Sequence, residues 1–188
     1  MIVYLDIVIA LWNMVAIYWI FMAFKNKSVT KSERSFSRTL YLIVMLASFY
    51  LLFSRNFIID FGLNSPFYEN SFLYYVGFIV SVLGLFFAVY ARYFLGKDWS
   101  GRVEIKKDHR LITTGPYALT RNPIYTGLLF GILGTALMCN QVKGLVALVL
   151  IFTMLSLKIK KEEEFLINNF SDYDNYKQRV KKLIPFIY

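Results

Sequence analysis

Three stretches of this chain gather side chains that could do chemistry. The first runs His109-Arg110-Leu111-Ile112-Thr113-Thr114-Gly115-Pro116-Tyr117 and continues to Arg121-Asn122-Pro123-Ile124-Tyr125-Thr126-Gly127. Gly115-Pro116 marks a turn. Asn122 is a helix-capping type with Pro123 at the first helical position. A helix start offers unpaired N–H groups and the positive end of a dipole, which suit an anion. Arg121 adds a cation there, and Tyr117 and Tyr125 offer flat faces for a ring or a cation. The same residues also make a plain capped helix start with interfacial tyrosines and a snorkelling arginine. The second stretch is Lys160-Lys161-Glu162-Glu163-Glu164. Its carboxylates either pair with lysines on a solvated helix start or face a cationic or hydroxyl-bearing ligand. The third, Ser171–Leu183, puts Tyr173, Tyr176, Val180 and Leu183 on one helical face, with Lys177, Arg179, Lys181 and Lys182 over much of the rest. With Ser171 as cap, this helix is expected to end before Pro185, either lying in a membrane interface or covering a pocket.

The elements that position these residues are hydrophobic. Of 188 residues, 57% are hydrophobic and 18% charged, with a mean hydropathy of +0.50, against roughly 45–50% and about 25% in average globular chains. A soluble core does not need that excess. Cys139 and His109 are the single cysteine and histidine, so a disulfide framework and a Cys/His zinc site are excluded and no metal is expected. Five apolar segments stand out: Ile7–Phe24, Leu40–Phe53 with an extension to Ile59, Phe72–Tyr90, Ile124–Cys139 and Leu145–Leu157. A membrane-spanning helix needs about 20 apolar residues. The first and third segments meet this outright, and the second does so if Arg55 snorkels or faces protein. The fourth and fifth are short and separated by Asn140-Gln141, which predicts a tight hairpin. Gly127, Gly131 and Thr135 form a small-residue row that lets two membrane helices approach closely, although glycines scattered in an apolar helix give the same row. The expected fold is all-α: five transmembrane helices in one domain, 1–188, with a cytoplasmic helical tail. Within it, 1–63 holds two N-terminal spans, 72–188 the core, and 96–125 and 158–188 the segments free for chemistry.

The charges set the expected orientation. All Lys and Arg but Arg55 and Lys143 fall in the loop Lys25–Arg38, the stretch Arg92–Arg121 or the tail after Leu157. These lie on one side of the expected spans, the positive-inside pattern, with the N-terminus outside and the C-terminus cytoplasmic. The net charge of +9 is then a topology signal, and nucleic-acid binding, which needs a basic face with base-stacking aromatics, is not expected. The first segment lacks the basic start and small-residue site of a cleaved signal peptide. The shortness of the chain favours a prokaryotic plasma membrane.

In this order, HRLITTGPYALTRNPIYTG, an apolar hairpin and EEEFLINNFSDYDNYKQRVKKLIPFI resemble the isoprenylcysteine carboxyl methyltransferase family of integral membrane enzymes that use S-adenosylmethionine. The likeness covers roughly Phe72–Tyr188, and phospholipid N-methyltransferases share parts of the pattern. The resemblance implies cofactor contacts at His109, Arg110, Leu111, Ile112, Tyr117, Asn122, Pro123, Ile124, Tyr125 and Glu163, with Glu162 completing an acidic pair. It implies catalytic roles for Arg121 and Glu163. It also implies a lipophilic or lipidated acceptor at the cytoplasmic interface, such as a prenylcysteine-like carboxylate or thiol, with membrane lipids as the other partner. The chain departs from the family in three places. Asn122 stands where the family usually has histidine, so the side chain can hydrogen-bond but cannot titrate. Ser171 stands for a frequent glycine, and Ile159 for the substrate-binding arginine of the eukaryotic enzymes. A carboxylate acceptor would therefore be held by another cation: Lys158, Lys160 or Arg121.

Methyl transfer from a sulfonium is an in-line displacement that asks an enzyme mainly to align the reactants and exclude water. A chain with one histidine and no metal cluster suits it. A carboxylate or thiol acceptor needs almost no base, whereas an amine must lose a proton, so the first two are favoured. The competing readings are a phosphatidylethanolamine N-methyltransferase, a membrane NADPH-dependent reductase, and a non-catalytic adaptor or small transporter, for which no internal repeat or broken helix is visible.

Overall fold

The computed structural model describes residues 2–24, 29–32, 36–54, 61–69, 71–96, 104–106 and 111–188. His109, Arg110, Arg55 and the extension of the second segment to Ile59 lie outside these residues. In chain order the elements are α1 (Ile2–Ala23), β1 (Val29–Ser32), α2 (Phe36–Phe53), α3 (Ser71–Leu95), β2 (Glu104–Lys106), a single 3-10 turn (Gly115–Ala118), α4 (Pro123–Cys139), α5 (Val142–Ile167) and α6 (Tyr173–Arg179). Each of the five apolar segments forms one helix. Val3–Met22, Ser71–Leu95 and Val142–Ile167 are long and apolar enough to cross a membrane, while the apolar helices Thr39–Phe53 and Pro123–Cys139 are shorter.

Three details differ from the all-helical expectation. A short antiparallel ribbon pairs β1 with β2, with Lys31 opposite Ile105 and Ser32 opposite Glu104. It joins the segments that follow α1 and α3, where β-branched residues stand in runs too short for helical periodicity. Next, α5 runs on to Ile167, well past Leu157. Lys, Glu and Leu are strong helix formers and nothing in 158–167 breaks the helix, so the acidic run occupies its last turns. Finally, the residue before α6 is Asp172 rather than Ser171, with no side-chain capping bond, and the helix stops at Arg179, before Pro185 as expected, where Val180 turns extended (φ −119°, ψ 135°).

The tightest seam joins α3 to α4. A Cβ placed on Gly84 would lie 2.5 Å from the Gly131 nitrogen, and one on Gly127 would lie 2.5 Å from the Ala88 nitrogen. The backbones touch because nothing larger than hydrogen stands between them. In lipid, where apolar helices gain little from burying each other, close packing of this kind holds them together. Gly127 and Gly131 of the small-residue row lie in this seam. Thr135 has a further role: its hydroxyl donates to the Gly131 carbonyl (2.7 Å), accepts from the Trp12 indole (3.0 Å) and meets the Ser81 hydroxyl (3.1 Å). This buried polar knot ties α1, α3 and α4 together, and α2 packs on α5.

The ends of the bundle are closed by polar groups. At the α4–α5 turn Asn140 takes the left-handed conformation (φ 49°, ψ 45°), which asparagine tolerates better than most residues. Its Oδ1 accepts from Phe67 and Tyr68 nitrogens, both at 3.2 Å. Lys143, one of the two cations outside the basic loops and tail, is fully buried and donates to the Ser54 carbonyl and to Asn64 Oδ1. At the other end Arg92, expected in the basic stretch after the third segment, sits in the last turn of α3 with no exposed surface. It donates to the Gly96 carbonyl at 2.7 Å and the Met22 carbonyl at 3.3 Å, tying the end of α1 to the end of α3. Met14, Ile17, Ile20 and Phe21 of α1 and Leu83 and Phe86 of α3 point outward, an apolar surface suited to lipid.

Candidate active site

The start of α4, the last turns of α5 and the segment after α6 meet at one end of the bundle. The chain reaches this point through Gly115, whose φ of +61° suits glycine and whose missing Cβ leaves room for the Phe94 ring. The 3-10 turn that follows buries Tyr117, and its carbonyl accepts from the Tyr176 hydroxyl at 2.6 Å.

Asn122 is the N-cap residue of α4 and Pro123 the first helical residue, as their types suggest. The Asn122 side chain, however, makes no capping bond. Its amide donates instead to the Lys182 carbonyl at 3.1 Å, which also accepts from the Asn122 nitrogen (3.2 Å) and the Thr120 hydroxyl (2.8 Å). The Arg121 nitrogen donates to the Lys181 carbonyl at 2.8 Å and the Thr126 hydroxyl to the Leu183 carbonyl at 2.6 Å. The polar groups around the helix start are thus turned to docking the tail. Thr120 and Thr126 were not anticipated from the sequence; the only signal was a pair of hydroxyls flanking Arg121-Asn122-Pro123.

Arg121 is the hub. Its Nε and Nη2 both lie 2.8 Å from Oε1 of Glu163, and each side chain is only 7% exposed. Its Nη1 donates to the Lys177 carbonyl at 3.2 Å and to the Val180 carbonyl. Burial works against the charge of Arg121, but the hydrogen bond and charge of Glu163 outweigh it and hold the guanidinium above its ordinary pKa. One helical position away, the Tyr125 hydroxyl donates to Oε1 of Glu162 at 2.9 Å. Lys158 Nζ stands 3.7 Å from the same oxygen and 5.4 Å from the centre of the Tyr125 ring.

Around these two pairs, burial pushes the phenols of Tyr117, Tyr173 and Tyr176 well above their usual pKa. They are neutral hydroxyls at any physiological pH. Of the residues expected to form the site, contacts join Arg121 with Glu163 and Tyr125 with Glu162, and Tyr117 and Asn122 are tied to the docked tail. Leu111 and Ile112 are half-buried on the approach to the turn, and Pro123 and Ile124 are buried where α4 begins. The arrangement presents two anchored carboxylates, neutral hydroxyls and one further cation beside an apolar bundle. That suits a ligand carrying hydroxyls and positive charge.

The model of the phospholipid methyltransferase family matches residues 72–173, which include both carboxylate pairs. The chain belongs to that family. Over 123 residues it is 32% identical to a probable protein-S-isoprenylcysteine O-methyltransferase of Oryza sativa subsp. indica, covering 63% of this chain and 64% of the relative. The protein-S-isoprenylcysteine O-methyltransferase of Saccharomyces cerevisiae is 34% identical over 116 residues, covering 60% of this chain and 48% of that one. Among solved structures, the eukaryotic intramembrane Ras methyltransferase ICMT (isoprenylcysteine carboxyl methyltransferase) superposes with a TM-score of 0.60 at 27% identity, covering 79% of this chain and 53% of that one. The chain spans about half to two thirds of the length of the curated relatives it matches. Its apolar helices and these relatives make this family member an integral membrane protein. The family match ends at Tyr173, so the tail carbonyls that Arg121 holds lie beyond it.

Proposed function

We propose that this chain is an S-adenosylmethionine-dependent methyltransferase acting on a lipophilic acceptor at the cytoplasmic face of a membrane. The observation that carries this reading is the pair of adjacent carboxylates at the end of α5, each anchored through one oxygen by a residue of the α4 start. Both Arg121 bonds fall on Oε1 of Glu163, and the Tyr125 bond falls on Oε1 of Glu162. The Oε2 atoms are the acceptors offered to a ligand. The donor set fits the cofactor: carboxylates for ammonium or ribose hydroxyls, an amide at Asn122, and tyrosines for a ring or a cation. Glu162, Glu163, Asn122, Tyr117 and Tyr125 would hold it, with His109–Ile112 and Pro123–Ile124 completing the set that the family likeness suggests. When bound, S-adenosylmethionine supplies a methyl group on a sulfonium centre.

The chain's own residues bind, orient and shield. Arg121 fixes the Glu163 carboxylate, only 6% exposed, through two bonds to one of its oxygens. Tyr125 fixes the rotamer of Glu162. The tail, bonded to Thr120, Arg121, Asn122 and Thr126, covers this end of the bundle and excludes water, which strengthens every electrostatic contact inside. No metal enters this scheme. The five helices are read as five spans in a prokaryotic plasma membrane, with the N-terminus outside and this site on the cytoplasmic side. The acceptor is then a molecule with its body in the bilayer and its head at the interface, such as a prenylcysteine-like carboxylate or thiol. The name of the matched family favours a second acceptor, the amine of a phospholipid.

The test is calorimetry with S-adenosylmethionine and S-adenosylhomocysteine on detergent-purified protein. Binding is expected, and Glu163→Gln should weaken it roughly 10- to 100-fold, the loss of one charge-assisted hydrogen bond. Absence of binding by the wild type, with NADPH binding in its place, would reject the reading. Labelled methyl transfer then separates the acceptors: a prenylated thiol-acid, its short water-soluble counterpart, and phosphatidylethanolamine. Equal rates on the first two would reject a lipophilic acceptor.

A further inference from the structure

We propose that the loop 183–188 is a wedge that enters the interface of an anionic bilayer and holds the docked tail in place. Residues 175–188 include no acid, and the cations Lys177, Arg179, Lys181 and Lys182 are followed at once by Leu183-Ile184-Pro185-Phe186-Ile187-Tyr188. The loop is closed on itself. The Tyr188 main-chain oxygen accepts from the Leu183 and Ile184 nitrogens, both at 2.7 Å, and the Ile187 nitrogen donates to the Ile184 carbonyl at 3.1 Å. Leu183 joins the apolar core. Phe186 and Ile187 turn away from it, 86% and 75% exposed. Phe186 has a φ of +66°, a conformation that is costly for a bulky residue and that glycine or asparagine adopts more easily. A turn facing only water gains nothing from phenylalanine at such a position. Strain kept in a fold points to a role for the group it presents.

Three contacts set the depth of the loop. The Arg121 nitrogen meets the Lys181 carbonyl and the Asn122 nitrogen the Lys182 carbonyl, so these lysines lie level with the residues just before α4. The Thr126 hydroxyl meets the Leu183 carbonyl at 2.6 Å, so the apolar loop begins level with the first turn of α4. On α5 the change from apolar to charged falls at the same level. Exposed Leu157 is followed there by Lys158, whose Nζ lies 5.4 Å from the centre of the Tyr125 ring. The tail therefore turns from charged to apolar where the neighbouring helices do. That is the order of a membrane interface, with cations among headgroups and aromatic and aliphatic side chains at the acyl boundary. A protein partner arriving from water would need this patch to stand clear of the bilayer. Lys177, Arg179 and Lys181 are exposed, and cations without an acid among them select a negatively charged surface. The attraction sums over them, whichever positions carry the charge. Because the same segment is bonded to Arg121, Asn122 and Thr126, lipid that holds the loop also holds the tail across the start of α4.

The experiment uses the full chain with C139S and a nitroxide label at I187C, in nanodiscs of phosphatidylcholine and of an equimolar mixture with phosphatidylglycerol. Collisions with oxygen, which concentrates in the bilayer, are compared with collisions with a water-soluble nickel chelate. A label at D174C, an exposed position of α6, is the aqueous reference. The I187C label should favour oxygen and the D174C label the chelate. Chelate collisions at I187C should fall about fivefold from the neutral to the mixed discs, the weight of one cation near an anionic surface. F186N suits the φ of the loop while removing the ring, and should return the label to water in both bilayers; F186W should not. K177Q/R179Q/K181Q should abolish the difference between the bilayers, whereas K177Q alone should leave most of it. Trypsin digestion at 177–182 should be slower in the mixed discs, and F186N should erase that difference. No readout depends on methyl transfer. An I187C label as open to the chelate as D174C in both bilayers would overturn the proposal. Equal shielding in the two bilayers would overturn the anionic partner. Shielding from oxygen as well as from the chelate would mean that a second copy of the chain covers the loop, which would overturn the proposal too.

Discussion

Replacing Arg121 with methionine keeps much of the side-chain volume and removes the polar contacts of the guanidinium at one stroke. Two bonds of 2.8 Å to Glu163 and two to the carbonyls of Lys177 and Val180 disappear. A carboxylate only 6% exposed is left without its counter-charge. Removing one partner of a buried ion pair costs about 3–5 kcal/mol. Glu163→Gln is milder, because the amide retains an oxygen that Arg121 can reach, and costs about 1.5–3 kcal/mol. Were the two sites independent, the double variant would lose about 4.5–8 kcal/mol. The larger part of the Arg121 penalty is the stranded carboxylate, however, and R121M/E163Q no longer has one. It should therefore be no less stable than R121M alone, a coupling of about 1.5–3 kcal/mol, within the range for residues in contact. At roughly 2–4 °C per kcal/mol for a chain of this size, R121M should lower the melting temperature by roughly 6–20 °C. The assay is thermal unfolding in detergent micelles followed by tryptophan fluorescence, paired with limited trypsin digestion at Lys177–Lys182, which R121M should accelerate. Additive losses in the double variant, or an R121M cost below about 1 kcal/mol, would show that the pair does not hold this end of the bundle together.

Gly134→Ala would drive a Cβ into the Ser81 nitrogen and the Gly77 carbonyl, backbone atoms that cannot rotate away. It should cost about 1–3 kcal/mol in the same melt, and more than Gly144→Ala, whose Cβ meets the Ala136 methyl at 3.1 Å. Reporter fusions after Lys31, Asn64, Lys106, Gln141 and Tyr188 should read inside, outside, inside, outside, inside; an outside signal at Lys106 or Tyr188 would place the carboxylate pairs on the wrong face. The phenols of Tyr117, Tyr173 and Tyr176 titrate higher folded than unfolded. Their contribution to stability is complete below the unfolded phenol pKa of about 10 and is lost as pH climbs through the raised folded values. Melts from pH 8 to pH 11 should be flat at first and then fall, with a shallower fall in Y176F; a steady decline starting near pH 8 would contradict this.

The helices could be read from the sequence because lipid demands long apolar runs and tolerates few charges inside them. The fourth segment, Ile124–Cys139, matches α4 to within one residue, and the Asn140-Gln141 turn falls where polarity interrupts it. The end of α5 was hidden, because polarity changes at Lys158 while helix propensity does not. The burial of Arg92 and Lys143 is not legible locally, because each reaches across the bundle to a backbone carbonyl, 70 residues away for Arg92 and 89 for Lys143, and no local pattern reports such a partner. At the site, residue types alone suggested a cap at Asn122, yet its amide serves Lys182, 60 residues further on. Arg121 and Glu163 are 42 residues apart. Only the family likeness put them on one list, and spacing would not have done so.

The docking of the tail has one more consequence. The groups that hold it, on Thr120, Arg121, Asn122 and Thr126, reach main-chain carbonyls of Lys177, Val180, Lys181, Lys182 and Leu183. Every amino acid carries that carbonyl. The site thus recognises the path of the tail and is nearly blind to its spelling, so exposed positions such as Lys177 and Lys181 are free to drift over generations. Leu183, only 1% exposed, is anchored by its side chain and is not. Comparing related sequences letter by letter would dismiss 177–182 as a loosely kept ending, although its backbone is held at four residues.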